Sequence, residues 1–410
     1  MNVALDRRAF VRSLSAPFWA SLLPASALRR AVWLPRGDAR TLVVLELQGG
    51  NDGLNTVVPV DDAAYAQARP TLAQVRHGAL PLGNGFALHG ALAAVAARVG
   101  GGSAAIVHGV GYDPPDRSHF RSRDIWHTAD PAHDRVRQDT TGWLGRAADW
   151  LASKGAGLPA AALGGVEVPL VLKTRTVVVP SLERAEDFAL RTVDGSAQRA
   201  LAELPGDGGA VAAGDGNPLA FAAATAAAAV AQAESLRTGL QRYRAQADYP
   251  DGDFAGALQL CARVAVAGFG TRLFHVALGG FDTHAQQLAT HDGLLRQLDR
   301  ALGALLLDLD GHGKLQDTVV FVHSEFGRRV RENQSLGTDH GAAAPVLLLG
   351  GDVRAGLHGT APDLDKLVDG DVPPTTDFRA VYGSLLRWLG IDAAAVLGAQ
   401  APAPLDLLPA

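Results

Sequence analysis

The feature that most limits what this chain can fold into is a series of short apolar runs, each stopping at glycine or charged residues. Thr41–Leu47 reads TLVVLEL and halts at Gln48-Gly49-Gly50; the stretches 104–108, 170–173, Leu273–Leu278, 318–322 and 346–349 are of the same kind. They are β-branched or leucine-rich, too short for ordinary helices, and continuous rather than alternating. Such runs read as strands covered on both faces, as at the centre of a parallel sheet. Helical patterns lie between them, over about 63–75, 118–128, 143–154, 285–309 and 378–389. Strands alternating with helices predict an α/β fold, a three-layer α/β/α sandwich with a mainly parallel central sheet. Between the third and fourth runs a largely helical insert, about 182–267, is expected beside the sheet. It contains a Gly/Asp/Pro break at 206–218 and an alanine-rich helix at 219–244.

In open parallel sheets, ligands bind at the carboxyl ends of the strands. The polar residues at the ends of these runs are therefore informative. After the first run comes QGGNDGLN, with Asn51 and Asp52; after the second, GVGYDPPDRSHF, with Asp116, Arg117, Ser118 and His119 at a helix start. GGFDTH follows the fourth run and supplies Asp282 and His284. HSEFGRR, at the fifth, supplies His323, Ser324, Glu325, Arg328 and Arg329. GTDHGAAAP, just before the sixth, supplies Asp339 and His340. Singly, each has a simple structural role: Asp282 and Ser324 as helix caps, Asp52 as a turn residue, Ser118 as an N-cap. Five such clusters at one edge of one sheet point instead to a site for a metal or an anion. Carboxylate and imidazole together are the ligands of zinc, manganese and related divalent cations.

Composition narrows the classes. Hydrophobic residues make up 48% and charged residues 19% of 410, enough for a sizeable core. A formal net charge of −5 offers no broad basic surface, so nucleic acid is not an expected partner. Cys261 is the single cysteine, which excludes an intrachain disulfide and a cysteine-based zinc site. Arg7-Arg8-Ala9-Phe10 opens the weakly apolar SLSAPFWASLLPASA, which ends at Ala25-Ser26-Ala27. Residues 1–27 therefore read as a twin-arginine export signal, with the twin-arginine machinery as partner and the periplasm or exterior as destination. Pro17 and Pro24 break the apolar stretch, which is short of the ~20 residues a membrane span needs. No transmembrane anchor is expected once the signal is removed.

LELQGGNDGLNTVVP, DRSHFRSRDIW, LGGFDTH, SEFGRR, GTDHG and TTDFRAVYGSLLRWLG, in this order, resemble the motifs of the DUF1501 family of exported bacterial proteins. The resemblance covers nearly the whole chain after the signal. It implies one domain over 40–395, followed by an Ala/Pro-rich tail at 396–410, on a fold similar to the alkaline phosphatase/sulfatase superfamily. That superfamily handles phosphate and sulfate esters with one or two metal ions. Carried over, it implies Asp52 as the carboxylate after the first strand, Ser118 as nucleophile at a helix N-terminus, and Asp282, His284 and His340 as ligands of one ion. Glu325 takes the place of a late carboxylate at a second ion, and Arg117 and Arg328 would hold substrate oxygens. The sequence departs from the superfamily at Glu325-Phe326, where an Asp-His pair is usual, so one imidazole is missing. It also lacks the C-x-P-x-R or S-x-P-x-R of formylglycine sulfatases. The expected activity is hydrolysis of a small anionic ester with zinc or manganese; the alternative is a non-catalytic ligand- or partner-binding protein of the cell envelope.

Overall fold

The structure is a computed structural model and describes residues 40–132, 136–165, 167–183 and 240–409. Its strands are β1 (Thr41–Leu47), β2 (Val57–Pro59), β3 (Leu80–Gly83), β4 (Phe86–Leu88), β5 (Ala104–Gly111) and β6 (Ala160–Leu163), then β7 (Ser181–Leu182), β8 (Leu273–Leu278), β9 (Thr318–His323), β10 (Ala344–Gly350), β11 (Gly356–His358) and β12 (Thr376–Asp377). Nine of them form one sheet in the order β11-β5-β10-β9-β1-β8-β6-β7, with β12 beside β5; β2-β4-β3 form a small separate sheet. β1 is flanked on both sides by parallel partners, Leu42 opposite Leu273 of β8 and opposite Val319 of β9.

Both faces of β1 are buried because each carries helices. Val43, Leu45 and Leu47 point to the layer formed by the helices Ala93–Gly100, Asp253–Ala267 and Gln287–Gly311. Leu42 and Val44 point to the layer of His119–Thr128, Trp143–Ser153 and Phe378–Trp388. The strand period of two makes this division, and it sends Glu46 to the second layer. Along Gln287–Gly311 the buried residues His291, Leu295, Leu298, Leu302, Leu305 and Leu309 recur every three or four positions, giving the helix one apolar stripe for the sheet. The layers are the expected α/β/α arrangement.

Two runs differ from expectation. The 170–173 run is a 3₁₀ turn, Leu170–Leu172, that follows Pro169; the strand of this region is Ala160–Leu163. Alanine has little intrinsic preference for strands, and β6 forms because β8 and β7 offer it a ladder on either side. The 346–349 run is a strand, but β10 runs antiparallel to both β5 and β9. Burial on both faces gives the same apolar pattern whichever way a strand points.

Of the helical insert, Asp253–Ala267 packs on the sheet through Phe254, Leu258, Cys261 and Val264. The stretch expected to form the alanine-rich helix lies largely outside the described residues, as does the expected export signal. The Ala/Pro-rich tail is docked on the domain: Leu407 and Leu408 are buried, and Ser384 Oγ donates to the Leu405 carbonyl at 2.9 Å. Among the described residues no helix is long and apolar enough to cross a membrane.

Candidate metal centre

The direction of β10 decides where the site lies. Its front end sits at the edge where β1, β5, β8 and β9 finish, so Asp339 and His340, just before it, meet the residues that follow those strands. The 339–342 segment is zipped to 327–329: Arg329 N donates to the Asp339 carbonyl at 3.0 Å and Gly327 N to the Ala342 carbonyl at 2.8 Å. Gly49 and Gly50, at φ +117° and +70°, let the end of β1 close onto the neighbouring loops. A Cβ at Gly49 would fall 2.4 Å from the Asp282 nitrogen, and one at Gly50 would fall 2.2 Å from the Phe326 ring.

Asp282 Oδ1 is the focus of the site. His284 Nε2 lies 2.9 Å from it, His340 Nε2 3.1 Å and His119 Nε2 3.3 Å, and the His284 and His340 Nε2 atoms are 2.9 Å apart. These rings arrive from the loop after β8, the segment before β10 and the first turn of His119–Thr128. Each has its other nitrogen fixed. His340 Nδ1 donates to the Arg117 carbonyl at 2.7 Å, His119 Nδ1 to Glu325 Oε1 at 2.9 Å, and His284 Nδ1 to Asp339 Oδ1 at 3.3 Å. A carbonyl can only accept, and both carboxyls are ionised. Burial would raise the Glu325 pKa, but the bond from His119 and further contacts bring it below the usual value. The bond from the Asn333 amide outweighs burial and, helped by the His284 ring, holds the Asp339 pKa down.

The three rings in neutral form therefore turn bare Nε2 lone pairs toward one carboxylate oxygen. That oxygen belongs to an ionised group: burial pushes Asp282 up, but the Arg328 guanidinium and the His340 ring outweigh it and hold the pKa at about 2. It also already accepts from Arg328 Nη2 at 2.6 Å. One carboxylate oxygen has two lone pairs, and imidazole lone pairs facing it repel unless a metal cation or ring protons lie among them. Bonds of ~2.0–2.1 Å to a small divalent ion place ligand atoms roughly 3.3 Å apart; the three Nε2 atoms lie 2.9–3.3 Å from Asp282 Oδ1, and the ligand atoms of His119, Asp282 and His340 all lie within 4.8 Å of one another. The outer partners of all three rings are those that orient metal-binding histidines. The donor set suits a divalent cation. Asp282 and His284 side chains are 47% and 43% exposed, so the cluster opens to water.

The residues singled out in the sequence are only partly brought together. Asp282, His284 and His340 meet. Glu325 reaches the cluster through His119, and is itself held by a 2.9 Å bond from Gly49 N. Asp52 is wholly buried and faces Arg69: it accepts from Arg69 Nη1 at 2.6 Å, from the Gln287 amide, and from Asn55 N as the cap of Gly53–Thr56. None of these contacts is with the three histidines. Arg328 is buried, with Nε on the Gly50 carbonyl at 2.6 Å, Nη1 on the Thr338 carbonyl at 2.7 Å, and Nη2 shared by Asp282 and the Gly49 and Phe281 carbonyls. It braces three loops from beneath the site. Arg117 directs its guanidinium to Asp371, with Nε at 2.8 Å and Nη2 at 2.5 Å. Ser118 is exposed at the head of its helix and its side chain makes no capping bond.

His119 is the residue that reading the sequence for ligands passed over. It stands next to Ser118 in DRSHF, where helix capping explains the polar residues well enough. It supplies Glu325 with the imidazole that Phe326 lacks, and its raised pKa comes first from the bond to Glu325. Phe326 packs beneath, its ring 4.9 Å from His119 and 4.8 Å from His340. A second group was also missed: Glu46, His127 and His275, all buried. Its signal was available, as Glu46 and His275 are ionisable residues inside otherwise apolar strands.

The family model described as "Protein of unknown function (DUF1501)" matches residues 101–407. The chain belongs to the DUF1501 family. Comparison with curated proteins found no match. Among solved structures, this DUF1501 chain is similar to a protein in the alkaline phosphatase superfamily from Vibrio parahaemolyticus, at 12% identity, over 91% of this chain and 77% of that one, with a TM-score of 0.44. It is similar to the PsFucS1 sulfatase from Pseudoalteromonas sp. at 12% identity, over 93% and 73%, with a TM-score of 0.40. The C-terminal periplasmic domain of EcEptC from Escherichia coli, in complex with zinc, matches at 10% identity over 77% and 74%, with a TM-score of 0.37.

Proposed function

We propose that this DUF1501 protein is an exported hydrolase of phosphate or sulfate esters that works with a divalent cation, zinc or manganese, held by His119, Asp282, His284 and His340. The observation that carries the proposal is the convergence of three imidazole Nε2 atoms, each with its Nδ1 fixed by an acceptor, on the Asp282 carboxylate. A cation held there would polarise a phosphoryl or sulfuryl oxygen as a Lewis acid.

The remaining work falls to the chain's own side chains. Ser118 has extended backbone angles, φ −88° and ψ 124°, at the head of His119–Thr128. Its hydroxyl is the nucleophile of this scheme, and the N–H groups of the helix's first turn favour an anionic ester beside it. Glu325 keeps the proton on His119 Nδ1 and so orients that ring. Arg117 contributes through its carbonyl, which orients His340. The exposed edge of Asp282 and His284 is the side from which a small anionic substrate enters.

Stripped of its metal with EDTA, the protein should lose turnover on a panel of aryl phosphate and aryl sulfate esters and recover it with Zn²⁺ or Mn²⁺. Equal turnover by metal-free and metal-loaded protein excludes the scheme. One observation favours a second reading, a binding protein without catalysis: among the described residues the Ser118 side chain makes no capping bond and no base is seen bonded to it. That reading predicts metal binding with no turnover on any ester. Export rests on Arg7-Arg8 and the stretch to Ala27; replacing both arginines with lysine should hold the protein in the cytoplasm.

A further inference from the structure

The buried group missed in the sequence is not used by the reaction proposed above. Glu46 of β1 sits opposite His323 of β9, and His275 of β8 sits opposite Val44, so all three side chains share the sheet face that His119–Thr128 covers. His127, from that helix, completes the set. His127 Nε2 is 3.1 Å and His275 Nε2 3.0 Å from a single oxygen, Glu46 Oε2. The other oxygen, Oε1, is buried with no hydrogen-bond partner, and so is His323 Nδ1. None of the four residues is more than 5% exposed. The Trp126 and Phe321 rings stack on His323 at 4.8 Å and 5.0 Å and close the space around it.

A carboxylate this deep must be neutralised, by a proton on a neighbour or by a cation, and its ion-pair partners among the described residues are the two imidazoles alone. Two neutral rings donating N–H bonds would leave the negative charge in place and one oxygen stripped of water with nothing in exchange. Two nitrogens each about 3 Å from one carboxylate oxygen, all three ligand atoms within 4.8 Å of one another, with a second oxygen idle beside them, suit the coordination sphere of a zinc-type ion.

We infer that Glu46, His127 and His275 form a second, enclosed site for a divalent transition ion of the zinc class, separate from the open site at Asp282, with His323 beside it as a further nitrogen. Such an ion would tie β1 and β8 to the helix that begins at His119, and so fix the position of a ligand of the open site.

The test uses the full chain loaded with Zn²⁺, dialysed, and analysed for metal by mass spectrometry. In the double variant His284→Ala/His340→Ala the open site is removed, and one ion per chain should remain. Adding Glu46→Gln, or separately His275→Gln, to that background should remove it. A strong chelator should lower the melting temperature of the double variant but not of the triple one. Cobalt-loaded double variant should show the intense visible bands of a tetrahedral ion, a readout that stands even if the triple variants fail to fold. A double variant that holds no metal and gives no cobalt bands overturns the inference, as does metal content that Glu46→Gln and His275→Gln leave unchanged. Because the double and triple variants all lack the open site, failure of the open site would appear separately, as wild type binding no more metal than the double variant.

Discussion

His340 donates its Nδ1–H to the backbone carbonyl of Arg117 at 2.7 Å, and this contact settles which nitrogen of the ring faces Asp282. A carbonyl cannot exchange roles as a carboxyl or hydroxyl can, so Nε2 is left as a lone pair toward the site. The arrangement also explains what Arg117 does here. Its guanidinium is bonded to Asp371, and its part in the site is played by the main chain. His119 with Glu325, and His284 with Asp339, repeat the device using carboxylates.

Glu325→Gln tests that device. Glutamine keeps the shape and an acceptor oxygen for Gly49 N but loses the charge that fixes the His119 tautomer. Metal affinity at the open site should fall by roughly 10–100-fold, the usual effect of removing an outer partner of a ligating histidine. Because Glu325 also raises the His119 pKa above its ordinary 6.5, the proton competes with the metal at higher pH in wild type than in the variant. Competition with a chromophoric chelator across pH 5–8 measures both effects. Unchanged affinity and an unchanged pH midpoint would count against this role for Glu325.

Much of this could be read from the sequence, for reasons that particular residues make clear. β1 and β8 matched to the residue because a strand buried on both faces must be continuously apolar and must end where polar residues begin. Asp282, His284 and His340, which the fold brings together, were legible as candidate-site residues because they stand at such ends. The direction of β10 was not legible, because its pattern is the same in either orientation, and yet it is what brings His340 to the site. His119 was hidden by distance: its partner Glu325 is 206 residues away, and no local pattern records a tautomer. Asp52 misled because its partner Arg69, in the stretch QARP, looks like an ordinary surface arginine and is in fact wholly buried.

Gly50→Ala should damage the site without touching a ligand. The new Cβ would lie 2.2 Å from Phe326 Cε2, at a backbone angle of +70° that alanine adopts only with strain. Overpacking and strain together should cost about 2–4 kcal/mol. Phe326 is the floor under His119 and His340, so its displacement should also weaken metal binding. Urea denaturation and zinc titration of the same protein check both; stability lost with metal affinity intact would show that Phe326 does not position the rings.

Ser118→Ala separates catalysis from binding. Ser118 is exposed and makes no capping bond with its side chain, so the substitution should leave folding and metal content as they are. If its hydroxyl is the nucleophile, turnover of an aryl phosphate or sulfate should drop by roughly 10³-fold or more, as when other enzymes lose a nucleophilic serine. Steady-state rates on metal-loaded protein decide it. Full activity in the variant would shift the attack from Ser118 to water.

Asp52 and Arg69 supply a prediction with a definite sign in pH. Burial would raise the Asp52 pKa, but the Arg69 charge beside it prevails and holds it below 3.8. A carboxyl with a depressed folded value contributes stability above its unfolded pKa, and that contribution is lost as pH falls through the folded value. In Asp52→Asn the contribution is missing at neutral pH, and Arg69 is left buried without its counter-charge. The variant should be less stable than wild type by about 3–5 kcal/mol at pH 7. As pH falls below 3.8 the gap should narrow, because wild type then protonates the same group. Metal bound at the open site should be unaffected, since the contacts of Asp52 are with Arg69, Gln287 and Asn55. Denaturant midpoints at pH 7 and pH 3, with metal content at pH 7, measure all three. A gap that stays constant with pH would refute the ion pair, and loss of the ion would make Asp52 a ligand after all.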